Sequence, residues 1–134
     1  MTTTRPGPRA RLTGGLLLWY GVLGGAVAWA VHVLVAWGLD ELACAAGSER
    51  VSAVPLGPAV GLAVVVPALA TAGSLAVAAL VWRRTAGAQS AGAEDRAFAR
   101  SRMLAVVGIW LNLLFLTIIV LGGVAVLVLP PCQS

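Results

Sequence analysis

The stretch WAVHVLVAWGLDELAC, Trp29 to Cys44, holds the only histidine of the chain, two of its five acids and one of its two cysteines. An imidazole inside an apolar run has several possible uses, and each needs different company. A proton relay calls for an acid at the same depth, and haem ligation calls for a second axial ligand. No Asp or Glu lies in the run around His32, there is no second His, and Met103 belongs to a distant segment. The expected role is a neutral imidazole that hydrogen-bonds a backbone carbonyl or a polar side chain of a neighbouring helix. Relay, haem ligation and a ligand given to a site shared with another subunit are the alternatives.

Cys44 follows the first apolar run closely and Cys132 follows the last one. If both runs end on the same side of a membrane, the two thiols share one oxidising face and a disulfide between them is expected. Two unlinked or separately paired thiols, or a copper-binding dithiol, are the alternatives. Copper would normally recruit His or Met, and neither flanking segment supplies one.

Asn112 is the other strongly polar group inside an apolar run, at roughly the depth of Thr71 and Ser74 and about 10 Å from the level of His32 at 1.5 Å per helical residue. It is expected to pair with the helix of Thr71 and Ser74, as interhelical glue in preference to a transport group. Gly21, Gly24, Gly25 and Ala28 form a small-residue stripe on the His32 side. Gly57 and Gly61, and Gly108 one turn before Asn112, have similar helix-packing spacing.

These residues need elements to hold them, and the composition says which. Hydrophobic residues make up 60% of the 134 positions, charged ones 10%, and the mean hydropathy is +0.95. Leu12 to Leu39, Val51 to Trp82 and Met103 to Ser134 are free of acids, lysines and arginines over 28, 32 and 32 residues. About 20 apolar residues suffice for a transmembrane helix. Three segments cannot close a barrel, so the backbone must satisfy itself within helices. The expected fold is an all-α membrane protein with helices near 16–39, 56–82 and 104–129 in a domain spanning 16–132. A polar tail over 1–15, rich in Pro and Gly, is expected to be disordered.

All nine positive charges are arginine, and eight fall before the first helix or between the second and third. By the positive-inside bias, the N-terminus and the central loop are cytoplasmic and the C-terminus is outside. The pI near 10.5 is accounted for by this flanking arginine and its attraction to anionic lipid, without nucleic acid. Ala43-Cys44-Ala45 has the small-x-small look of a cleavage site, but the run before it is too long for an ordinary signal peptide. Pro67 should kink the second helix.

The string Gly24-Gly25-x-x-Ala28-Trp29-x-x-His32, followed by Ala43-Cys44 and, after the last helix, by Pro130-Pro131-Cys132, resembles small uncharacterised membrane proteins found alongside haem-copper terminal oxidase subunits in bacteria. The resemblance implies an accessory subunit or assembly factor of a respiratory terminal oxidase in a bacterial plasma membrane, with His32 and Cys44 at matched positions.

The residues alone point the same way, because small-residue-rich helices without a nucleophile-and-base pattern or a phosphate-cradling loop are suited to packing against other subunits and lipid. No enzymatic activity of its own, no cofactor and no metal are expected, beyond a non-catalytic place in an oxidoreductase complex. The alternatives are an oligomeric small transporter or pore with His32 lining a wet cavity, and a membrane-anchored regulator acting through its Arg-rich loop.

Overall fold

The computed structural model describes residues 8–46, 50–51, 54–90 and 96–128. Three helices account for nearly all of them: α1 (Pro8–Ala46), α2 (Leu56–Ser90) and α3 (Arg96–Val128). Each contains a segment long and apolar enough to cross a membrane, Leu12–Ala45, Gly57–Gly87 and Ala99–Val126. Two short strands, β1 (Arg50–Val51) and β2 (Val54–Pro55), pair antiparallel between α1 and α2, with Arg50 opposite Pro55.

Contacts between named residues set the topology. Tyr20 meets Ser74 and His32 meets Ala63, so α2 runs antiparallel to α1. Gly25 meets Asn112, and Gly122 lies against His32, so α3 runs parallel to α1. This up-down-up order brings the exposed side chains of Arg9, Arg83, Arg84 and Arg100 to one end of the bundle. It also carries the last turns of α1, with Asp40, Glu41 and Cys44, to the other.

The helices are longer than expected at most ends. α1 starts at Pro8, not after Gly14 and Gly15, so the expected tail is helical over its second half. Pro8 occupies the helix's first position, where its missing N–H is no loss. A glycine costs about 1 kcal/mol relative to alanine, which weakens a helix without ending it. At the other end, Asp-Glu-Leu-Ala-Cys-Ala-Ala continues α1 because Ala, Leu and Glu are strong helix formers. α2 passes Trp82 to Ser90, and the Thr85 hydroxyl donates back to the carbonyls of Val81 at 2.9 Å and Trp82 at 3.0 Å.

The core is thin and made of small residues. Ala28, Ala63, Ala78 and Ala105 are buried where helices approach, together with Val22 and Ile119. The large apolar side chains point outward instead; Leu34, Leu69 and Trp110 are each about two-thirds exposed. An inside-out distribution of this kind suits an apolar surrounding, where burial of Leu between helices gains nothing over burial in hydrocarbon.

Candidate functional site: the polar seam of the bundle

His32, Thr71, Ser74 and Asn112 are all buried, the last three completely. They form a seam along the three-helix contact, but not the one that depth matching suggested.

Asn112 turns to α1. Its Oδ1 accepts from the backbone N–H of Gly25 at 2.8 Å, and its Nδ2 donates to the carbonyl of Gly21 at 2.7 Å and to that of Gly108, on its own helix, at 2.6 Å. Gly21 and Gly25 are the two ends of one i to i+4 rung of α1, so a single amide addresses both. Both amide hydrogens are used. The expectation that Asn112 pairs with the helix of Thr71 and Ser74 is therefore corrected. Gly21 and Gly25 expose backbone on the α3 side, and the amide follows that opening. Asn112 and His32 remain apart, as expected: Gly25 and His32 are seven residues apart on α1, about 10 Å of rise.

The glycines explain the approach. A Cβ on Gly108 would lie 2.5 Å from the Gly21 carbonyl oxygen, and one on Gly24 would lie 2.7 Å from the Ser74 hydroxyl. A Cβ on Gly25 would run into the Asn112 amide. At Gly21 it would be 3.4 Å from the Ala78 backbone nitrogen. Gly57 and Gly61 differ. Both are exposed, and among the described residues a Cβ on either meets nothing within 4 Å. They lie in the first two turns of α2, beyond its contacts with α1 and α3 that involve glycine. Spacing alone cannot tell such positions from those in a close helix contact.

Ser74 and Thr71 serve different helices. The Ser74 hydroxyl donates to the carbonyl of Tyr20 at 2.6 Å, tying α2 to α1, while the Thr71 hydroxyl donates within α2 to the Pro67 carbonyl at 2.8 Å. Tyr20 also donates its phenol O–H to the Ala70 carbonyl at 2.8 Å. Its ring tip lies over Gly73, where a Cβ would come within 3.1 Å of the phenol oxygen. The signal in the sequence was the pair of small residues, Ala70 and Gly73, that leave α2 backbone accessible.

Above this cluster Trp29 and Phe115 stack in a tilted pair, with ring centroids 5.6 Å apart. His32 comes next. Its Nδ1 lies 2.7 Å from the Ala63 carbonyl oxygen. A carbonyl only accepts, so Nδ1 carries the hydrogen, and in the neutral ring Nε2 carries the lone pair. On the other side the ring meets α3, where a Cβ on Gly122 would be 3.5 Å from Nε2. Gly123 lets Val64 in, since a Cβ there would come within 2.7 Å of a Val64 methyl.

Pro67 makes the His32 bond intelligible. In a regular helix the Ala63 carbonyl accepts from the N–H of residue 67, and proline has none. Every buried side-chain N or O among the described residues has a partner, so the seam is satisfied. These interhelical bonds each join a side chain to backbone. A proton path needs polar side chains linked to one another, and these are linked only to main chain. No group of three or more His, Cys, Asp or Glu suited to a metal occurs among the described residues. Cys44 is half-buried near the end of α1, with Sγ 3.9 Å from the Asp40 carboxylate, while Cys132 lies outside the described residues.

Comparison with protein-family models, with curated proteins and with solved structures finds no match.

Proposed function

We propose that the chain is a non-catalytic membrane subunit: a small accessory subunit or assembly factor of a larger membrane complex, with a respiratory terminal oxidase as the partner suggested by the helix 1 resemblance. One observation carries the reading. The buried polar side chains are spent on backbone of this bundle, which fixes three helices against one another and leaves an outer surface of Leu, Val and Trp. Such a body offers a partner shape and apolar contact.

The same reading sets the bundle across a bacterial plasma membrane with its arginine-rich end cytoplasmic and the Cys44 end outside, where Cys44 and Cys132 would be joined. Reporter fusions after Arg84 and after Ser134 should report opposite sides. A cytoplasmic C-terminal fusion would remove both the orientation and the disulfide.

Purification in mild detergent from the native membrane tests the partner. Recovery with haem-containing oxidase subunits supports the proposal. A homo-oligomer that conducts ions in liposomes would replace it with a transporter or pore.

A further inference from the structure

The joint in α2 at Pro67 is held by another helix. Pro67 leaves the Ala63 carbonyl without a backbone donor, and His32 of α1 supplies one at 2.7 Å. On the other flank of the joint, the Thr71 hydroxyl bonds the Pro67 carbonyl at 2.8 Å, a back-bond of the kind that bends helices. Directly beside the joint lies an apolar groove of about 470 Å³. Its walls are Val31, Val35 and Leu39 on α1 and Ala59, Leu62 and Val66 on α2, and Ala63 and Pro67 complete the lining. A break in the ladder, a bond across it from outside and room alongside it thus coincide.

We infer that the Leu56–Val66 arm of α2 is a hinged strap, latched by His32 at Ala63 and poised to close the groove against α1. Released from His32, the Ala63 carbonyl can accept from the Ala68 N–H across a wider turn, the adjustment by which helices in apolar surroundings accommodate proline. That change re-aims the arm above it. The argument rests on the bilayer placement proposed above and on no particular partner. In hydrocarbon, exchanging helix-lipid contact for helix-helix contact has little driving force, so the one directional bond from His32, acting on an arm that otherwise meets α3 through the apolar Val64 at Gly123, weighs heavily between open and closed groove.

Nitroxide-bearing residues introduced at Leu34 and Gly61, both exposed and outside the groove lining, report the α1 to arm distance while the native cysteines stay in place. Pulsed dipolar spectroscopy on the full chain, in phosphatidylcholine and phosphatidylglycerol vesicles and in detergent micelles, should give a major population and a minor, shorter one. His32→Leu should raise the ratio of short to long about three- to tenfold, the range one net hydrogen bond allows. His32→Gln should stay near the parent, and Pro67→Ala, which restores the N–H, should abolish the minor population. One distribution, unchanged in all of these, overturns the hinge and leaves a static staple. If His32→Leu does not fold, amide exchange on the other chains decides. The Leu56–Val66 amides should exchange at least tenfold faster than those of Ala68–Leu80 in the parent and lose that excess in Pro67→Ala. An excess equal in both chains overturns the proposal. Failure to insert into vesicles, with the micelle result intact, would count against the bilayer placement and not against the hinge.

Discussion

His32 stands in for the N–H that Pro67 lacks. The carbonyl it bonds is that of Ala63, four residues before Pro67, so the histidine of α1 completes the hydrogen-bond ladder of α2. The two residues should therefore be coupled energetically. His32→Leu alone is expected to cost about 0.6–2 kcal/mol, the range for interhelical polar contacts in apolar surroundings. In a Pro67→Ala background the same change should cost much less, because the introduced alanine brings its own N–H to the Ala63 carbonyl. A double-mutant cycle on unfolding in detergent measures this. Equal costs in the two backgrounds would refute the coupling.

The Asn112 amide and Gly25 share one space. Gly25→Ala is expected to destabilise more than Asn112→Ala, since it both displaces the amide and obstructs α3, at about 1–3 kcal/mol for overpacking. Asn112→Ala should recover part of the Gly25→Ala loss. The recovery is partial because a Cβ on Gly25 also lies 3.2 Å from the Asn112 Cα. Additive losses would mean that the two do not meet.

Gly108 and Gly61 should behave oppositely. A Cβ on Gly108 faces the backbone oxygen of Gly21, which cannot move aside without the helix, so Gly108→Ala should lower the melting temperature of the isolated chain. Gly61→Ala should leave it unchanged or raise it slightly, through helix propensity worth about 1 kcal/mol. If Gly61→Ile leaves the isolated chain intact but abolishes recovery with its partner, the exposed face of α2 is where the partner sits. Unimpaired recovery places the partner elsewhere.

The proposed bridge between Cys44 and Cys132 is tested by mass spectrometry of unreduced peptides from protein isolated in its native membrane. The two segments should be found linked. In the entropic model, closing so long a loop contributes about 4–5 kcal/mol, and less in a chain whose helices are already confined. Alkylation of both thiols before reduction would dismiss the bridge.

Three helices able to cross a membrane were determined by the sequence itself, because uncharged apolar runs of such length leave the backbone no other way to satisfy its hydrogen bonds. The burial of His32 and Asn112 was legible for a related reason: an imidazole or amide in hydrocarbon turns inward to find a partner, whereas a hydroxyl such as that of Thr71 can use a carbonyl of its own helix. Which partner it finds was decided only by the tertiary structure. Depth along the helices set Asn112 beside Thr71 and Ser74, yet the rotation of α3 aims it at Gly21 and Gly25. Spacing put Gly57 and Gly61 in the same class as Gly108, yet both are exposed and only Gly108 meets backbone of another helix. The bond from His32 to the carbonyl orphaned by Pro67 joins residues on different helices, and it depends on their axial offset to within the tolerance of a hydrogen bond. Rotation and offset follow from how all three helices pack at once, and no local pattern in the chain encodes them.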